Sequence, residues 1–451
     1  MIAHDANEQA ARQAGLREDI ARCVHCGFCL QACPTYLELG METDSPRGRI
    51  SLIDAMISGR ADATPSLLKH LDACLQCRAC ETACPSGVQF GRIMEEARAT
   101  VVESGERPLA WWLRIVAMRQ TLPHRNRLRA AMTALKFYER SPLRTLVRRS
   151  GVLRRVGHKL DAAEASLPEV PDAPFAPPEQ PAGLTRTVAM LTGCVMPHIY
   201  PRTHEATVHV LNRLGYRVVF PEAQTCCGAL SMHGGDRLFA RDLARRNIDA
   251  FLASGAEAII VNSAGCGSTM KEYDELLAHD AAYRERALRF VSMTKDVLEF
   301  VAAQPMPVLG TMRATVTYQD SCHLVHAQKV TTPARAILRA IPGIDLREMA
   351  APDRCCGSAG IYSFVQRDMS ARLLANKMDD IVATNATTIA TANPGCMMQI
   401  DAGVRARALD ARVVHVIELL DESMRIAQAS AHANGSRNEP LAETRAYEIR
   451  E

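Results

Sequence analysis

Two runs of the form Cys-x2-Cys-x2-Cys-x3-Cys-Pro dominate the chemistry open to this chain. They are Cys23, Cys26, Cys29 and Cys33 before Pro34, then Cys74, Cys77, Cys80 and Cys84 before Pro85. Three thiolates at this spacing can wrap three corners of one iron-sulfur cubane, while the fourth, thrown across the fold, caps the cubane of the other run. The expected ligand sets are Cys23, Cys26, Cys29 and Cys84 on one [4Fe-4S] cluster, and Cys74, Cys77, Cys80 and Cys33 on the other. Two clusters that exchange ligands form a relay, so the chemistry is one-electron transfer.

Other uses of these cysteines fit less well. Structural zinc takes four thiolates in a tetrahedron, usually from two separated knuckles, and a doubled four-cysteine run with a proline behind each copy is laid out differently. Disulfides belong to oxidising compartments, and the start MIAHDANEQAARQAG has neither the basic nor the apolar region of a secretory signal. A reduced, cytoplasmic setting is the expectation. A purely structural role for the clusters would not call for ligand exchange between them.

These sites must be carried by a chain of 451 residues, 47% of them hydrophobic, enough for roughly two to four domains. No uncharged apolar stretch of about 18 residues occurs, so membrane contact is expected to be peripheral or through a partner. A net charge of +3 is too small to suggest nucleic acid as a partner. Its distribution says more: residues 107–160 hold fourteen Lys and Arg against one acid, Glu139, and include both tryptophans, Trp111 and Trp112.

The expected organisation follows the composition. Residues 1–100 form a helical ferredoxin-type domain around the two cysteine runs, with helix-like apolar spacing at 51–59 and 66–74. Residues 101–166 read as basic amphipathic helix broken near Pro123 and Pro142. Such helices suit anionic lipid, an acidic subunit, or an ordinary solvated face. Residues 167–184 are a linker in which LPEVPDAPFAPPEQP carries six prolines, a composition expected to stay extended and unpacked. Residues 431–451 read as a disordered tail.

The remaining eight cysteines expose an internal repeat over 185–308 and 309–430. Cys194, Cys226, Cys227 and Cys266 recur as Cys322, Cys355, Cys356 and Cys396, at offsets of 128, 129, 129 and 130 residues. Each copy shows three short apolar strand candidates, at 187–192, 216–220 and 256–262, then at 314–319, 344–349 and 387–393. Alternation with helical segments predicts parallel α/β layers whose strand ends bring the cysteines to one edge. The fold class is therefore a multidomain α+β and α/β chain: a helical two-cluster domain followed by two repeated α/β Cys-Cys-Gly domains.

The whole arrangement resembles the iron-sulfur subunit of bacterial glycolate oxidase, also called glycolate dehydrogenase. The phrases that carry the likeness are CVHCGFCLQACPTY, SPRGRISLI, CLQCRACETACPSGV, CCGALSMH, SAGCGSTMKEY, HAQKV and CCGSAGIYSF. The resemblance implies an electron-transfer subunit beside FAD-containing dehydrogenase subunits that oxidise glycolate to glyoxylate. It also implies a quinone or other respiratory acceptor, on the cytoplasmic face of the inner membrane. No dinucleotide fingerprint stands in this chain: Gly265-Cys266-Gly267 is better explained by its cysteine, so flavin chemistry is expected in the partners only.

Lactate utilisation proteins and anaerobic glycerol-3-phosphate dehydrogenase have similar modules, which gives an alternative partner. Related domains in heterodisulfide reductases hold a noncubane cluster on five cysteines ending in Cys-x-x-Cys, and would make this region catalytic. Here Thr269 and Gln399 stand where that last cysteine would be. Four thiolates per repeat suffice for a cubane, so a cluster in each repeat, a cluster in one, and a docking scaffold all remain open. His198, His233, His323 and His326 lie near these cysteines as candidate iron ligands or proton carriers, or as ordinary polar side chains.

Overall fold

The computed structural model describes residues 6–152, 164 and 167–433. Of the expected disordered tail over 431–451, residues 431–433 instead end the helix Val416–Ala433; residues 434–451 and most of the end of the basic segment lie outside the described residues.

The N-terminal module is helical, as its apolar spacing predicts. Helices Ala6–Ala21, Pro46–Ile57, Pro65–Asp72 and Phe90–Glu103 close on Ile53, Leu71, Ile93 and Met94. Two helix starts are written in the sequence: the Ser45 hydroxyl accepts from Gly48 N at 2.9 Å and Thr64 from Leu67 N at 3.3 Å, each followed by proline at the first helical position.

Each C-terminal repeat builds a parallel sheet. The first has β1 Arg186–Met190, β2 Tyr216–Val219, β3 Ala258–Val261 and β4 Thr294–Asp296 in the spatial order β2-β1-β3-β4. The second has β5 Ala314–Tyr318, β6 Ile344–Arg347, β7 Thr388–Thr391 and β8 Arg412–His415 in the order β6-β5-β7-β8. Inner strands are apolar on both faces because both are covered. Val188, Met190 and Ile260 share a core with Val316, Tyr318 and Ala390 of the other repeat, while Ala189, Ile259 and Val261 face helices of their own.

The sequence reading has three strands per repeat, and the structure has four. β4 and β8 are edge strands of three and four residues, too short to show a period. Each ends in an equivalent buried cap: Leu298 N donates to Asp296 Oδ1 at 2.8 Å and Ile417 N to His415 Nδ1 at 3.1 Å. The repeats are joined directly where β3 and β7 end, with Ala264 N donating to Ala392 O at 3.2 Å and Gly265 N to Asn393 Oδ1 at 3.1 Å.

The basic segment is three helices, Leu109–Thr121, Arg125–Arg140 and Pro142–Ser150, interrupted where the prolines predict. Much of its charge finds acids elsewhere: Arg107 pairs with Asp72, Arg119 with Asp236, Arg140 with Asp172, and Arg144 and Arg148 with Glu164. Arg129 and Arg149 have no such partner among the described residues.

The proline-rich stretch packs, contrary to the expectation from composition. Phe175 lies against His204 and Phe220. The Gln180 side chain accepts from Val218 N at 2.7 Å and donates to Val218 O at 2.8 Å, pairing the open edge of β2 as a strand would. Proline removes backbone donors but does nothing to the side chains between prolines, which is why an extended strap can still bury its aromatic residue.

Candidate iron-sulfur centres

Both N-terminal cysteine loops take the same unusual backbone path. The second and fourth residues after the first cysteine are left-handed: His25 (φ 55°) and Gly27 (φ 89°) in one loop, Gln76 (φ 53°) and Arg78 (φ 63°) in the other. Turning the chain this way curls each cysteine run back on itself. Glycine adopts the conformation freely, and at position 27 any Cβ would also meet Arg47 Nη1 at 2.8 Å. Arg78 adopts it with tertiary help, through ion pairs to Glu81 at 3.0 Å and to Glu272 of the first repeat.

Cys33 crosses the module to join the second loop. It lines one small cavity together with Cys74, Cys77 and Cys80, walled by Thr35, Arg49 and Phe90. Cys23, Cys29 and Cys84 sit at the margin of the same helical core, and Cys26 is exposed. Burial pushes the Cys77 and Cys80 thiols far above their usual range, with neighbouring sulfurs adding repulsion. Several thiolates held there need a cationic centre between them, which is what iron provides. Gln76 N donates to Cys74 Sγ at 3.4 Å, and Arg49 Nη1 stands 4.0 Å from Cys33 Sγ.

In each repeat the cysteines follow the carboxyl ends of the first three strands, where β1 and β3, or β5 and β7, lead the chain to opposite sides. That is the ligand crevice of an open parallel sheet. The sulfurs perturb one another in series, Cys194 with Cys226, Cys226 with Cys227 and Cys227 with Cys266, repeated as Cys322, Cys355, Cys356 and Cys396. Thiols donating to it hold Cys226 below the usual thiol range, Cys194 first, and Cys355 and Cys396 do the same for Cys356. The Cys-Cys-Gly glycines are left-handed, and at Gly357 a side chain would strike Ser370 O at 2.8 Å.

The two repeats face each other, and all eight of these cysteines line one cavity of about 450 Å³. The N-terminal module closes one side with Cys74, Leu75 and Gln76, and the helix Leu109–Thr121 closes another with Trp111, Ile115 and Met118. Among the described residues no three His, Cys, Asp or Glu side chains gather around one point for a single metal ion.

The second loop is built into the second repeat. Cys77 and Leu75 share a small buried cluster with Cys355, Tyr362 and Leu373, with Cys322 packed against it. Tyr362 Oη donates to Ala73 O at 2.9 Å, and His323 Nε2 lies 2.9 Å from Gln76 O.

The four histidines separate into different settings. His326 is engaged with Thr82 Oγ1 at 3.0 Å, and His198 is half-buried on a short helix with its pKa lowered by burial. His233 and His323 line the cavity with ring centres 5.3 Å apart, both pushed down to about 3 by burial. His233 Nδ1 is 2.8 Å from Glu95 Oε1, and its buried Nε2 has no partner.

Arg98 escaped the sequence reading. It is buried, and donates to Leu71 O at 2.7 Å, Cys74 O at 3.0 Å and His233 O at 2.8 Å, tying the N-terminal module to the first repeat. Nothing in RIMEEARATVV marks it. Arg49 lies within SPRGRISLI, where a cation so near Cys33 shows only once the fold is known.

Comparisons with known proteins agree along the chain. The family described as a 4Fe-4S dicluster domain matches residues 19–88, and the cysteine-rich domain family matches 188–271 and 316–401. The linker region of glycolate oxidase iron-sulfur subunits matches 110–167. A probable glycolate oxidase iron-sulfur subunit of Bacillus subtilis is 40% identical over 419 residues, covering 90% of this chain and 94% of its own. The glycolate oxidase iron-sulfur subunit of Escherichia coli is 34% identical over 420 residues, covering 92% and 97%. Lactate utilization protein A of an Exiguobacterium species is 28% identical over 242 residues, 99% of its length but 53% of this chain. The crystal structure of a hypothetical protein from Helicobacter pylori superposes with a TM-score of 0.52 at 9% identity, covering 94% of this chain and 73% of that one, a likeness of fold alone. With matching relatives over nine-tenths of its length and the linker signature between its cysteine modules, the chain belongs to the glycolate oxidase iron-sulfur subunit family, whose members are electron-transfer subunits of an oxidoreductase complex.

Proposed function

We propose that this subunit takes electrons from FAD-containing partner subunits that dehydrogenate glycolate to glyoxylate and passes them to a quinone at the cytoplasmic face of the membrane. The observation that carries the reading is the continuity of sulfur sites, from Cys26 at the surface through the Cys33, Cys74, Cys77 and Cys80 cavity to Cys322 and Cys355.

In this reading Cys23, Cys26, Cys29 and Cys84 hold one [4Fe-4S] cluster and Cys74, Cys77, Cys80 and Cys33 the other, and each repeat quartet holds a further one. Such clusters, when bound, supply one-electron transfer at potentials the protein can set over about −700 to +450 mV. The chain's own residues hold and insulate. Left-handed loops aim the thiolates, Phe90 and Arg49 wall the second set from water, and Arg98 and Tyr362 fix it against the repeats. Val24 and Phe28, 68% and 67% exposed beside Cys26, offer an apolar seat for the flavin-bearing partner. Segments 1–100, 101–166, 167–184, 185–308 and 309–430 act as cluster module, basic helices, strap and paired repeats. Among the described residues no helix is long and apolar enough to cross a membrane, so membrane contact falls to exposed helices or to partners.

The test is iron and sulfide analysis of the anaerobically co-purified complex, with dye reduction by glycolate and by D-lactate. Iron for more than two cubanes and a preference for glycolate are expected. A preference for D-lactate would move the substrate to the alternative partner, and an iron-free chain would end the relay reading.

A further inference from the structure

The cavity between the repeats holds more than its sulfurs need. The cysteines occupy the strand ends, and Asp72, Arg98 and Arg107 also reach the cavity, but elements without cysteine add an apolar stretch of wall: Trp111, Ile115 and Met118 of one helix, and Phe364 and Val365 of a short helix in the second repeat. Phe364 and Val365 are 45% and 39% exposed while lining the cavity, which places them at an opening to solvent, as does the exposure of Arg114. Also in the cavity wall stands the unpartnered, buried Nε2 of His233. Gln76 Nε2 and Oε1 on the same wall are likewise buried without a partner, and orphaned polar atoms in a largely apolar cavity call for a ligand that carries hydrogen-bonding groups.

The helix that walls the cavity is apolar on a second side. Trp111, Ile115 and Met118 face inward, whereas Leu109, Leu113 and Val116 are 74%, 62% and 50% exposed. Phe137, Leu143 and Leu146 continue the exposed apolar surface on the next two helices, among Arg129 and Arg149, which lack acidic partners among the described residues. Exposed apolar side chains among unpaired cations are the footprint of a helix lying in an anionic lipid interface.

We propose that this cavity is the seat of a lipid-soluble quinone, entered from a membrane surface on which the helices 109–150 lie. The inference rests on the relay reading and adds the place where its acceptor binds. A flat, neutral headgroup fits against the apolar side chains of Trp111, Ile115, Met118 and Phe364. Its carbonyl oxygen accepts from His233 Nε2–H, the tautomer in which Nδ1 accepts from the protonated Glu95 carboxyl, and its tail leaves between Arg114 and Phe364 toward lipid. The balance is complete: one glycolate loses two electrons and two protons to become glyoxylate, and one quinone gains two electrons and two protons to become quinol. The protons for the quinol come from water at the mouth.

The complex purified with its partners and iron tests this. A photoreactive short-chain benzoquinone is expected to label the peptide carrying Trp111, Ile115 and Met118 or that carrying Phe364, with protection by unlabelled quinone. Met118→Phe and Phe364→Ala should each lower quinone turnover relative to water-soluble dye turnover about tenfold, the loss of roughly 1.4 kcal/mol of binding. Labelling confined to other peptides, or an unchanged ratio in both variants, overturns the proposal. A wild-type complex that reduces no dye with glycolate strikes the relay reading instead, and its labelling pattern still decides the cavity.

Discussion

One buried cation should set the potential of the second cluster site. Arg49 is 1% exposed; its Nη1 lies 4.0 Å from Cys33 Sγ and its Nη2 3.3 Å from Asp44 Oδ1. A positive charge beside a cluster ligand favours the reduced, more negative state. Unit charges 4 Å apart interact by about 4 kcal/mol at an effective dielectric near 20. An added electron spreads over the cluster instead of resting at Cys33, leaving about 1–2 kcal/mol. At about 59 mV per tenfold change for one electron, Arg49→Met should lower the potential by roughly 40–90 mV.

The single variant also leaves Asp44 buried with only His70 Nδ1 at 3.1 Å as an ionisable partner, so its charge deepens the fall. Arg49→Met/Asp44→Asn should recover about half of the shift. Breaking the buried pair destabilises the module by about 3–5 kcal/mol, and the double variant should recover part of that. Redox titration followed by paramagnetic resonance measures the potentials, and thermal unfolding measures the stability. A rise in potential, or a fall under about 10 mV in the single variant, would refute this electrostatic reasoning.

Burial pushes Asp296 up to about 7, above its unfolded value of 3.8, so its contribution to stability is intact at low pH and is lost as pH rises through about 7. Asp296→Asn, which can still cap the helix, should be more stable than wild type at pH 8 by up to about 4 kcal/mol and similar near pH 4; equal denaturant midpoints at pH 8 would contradict this. Arg98→Met leaves two buried carbonyls, Cys74 O and His233 O, without a donor, Leu71 O keeping Cys74 N, and should cost about 2 kcal/mol or more, with faster proteolysis near residue 105 as the N-terminal module loosens; wild-type protease resistance would show that the Arg98 ties are dispensable. Cys226→Ser with Cys355→Ser should remove iron from the repeats while the N-terminal resonance signals persist, and full iron retention would leave the repeats as scaffold. Leu113→Asp with Leu146→Asp should reduce co-sedimentation with vesicles containing anionic phospholipid about tenfold or more; unchanged sedimentation would free that surface from a lipid role.

The sequence already contained what depends on spacing. Four cysteines in a Cys-x2-Cys-x2-Cys-x3-Cys run can approach one point whatever surrounds them, and a register of 128 to 130 residues over four landmarks is itself evidence of duplication. Helix breaks at Pro123 and Pro142 were legible because they are local chemistry, whereas the spacing at 51–59 missed the first turn of a helix that starts at Pro46. Edge strands of three or four residues were not, because their pairing partner rather than their pattern makes them strands. The proline-rich strap was misread for a related reason: composition records what the backbone cannot donate, and Gln180 supplies the edge of β2 from a side chain.

Tertiary structure alone decided which sulfurs share a cavity and what closes it. Cys33 meets Cys74, Cys77 and Cys80 through packing of helices far apart in the chain, and the two repeat quartets confront each other because β1 and β5 share a core. Arg49, Arg98 and His233 gain their roles from neighbours 16 to 135 residues away, distances at which no motif operates. Ligand type is a property of residues and their spacing, whereas the dielectric, the nearest charge and the route to solvent are properties of the packed whole.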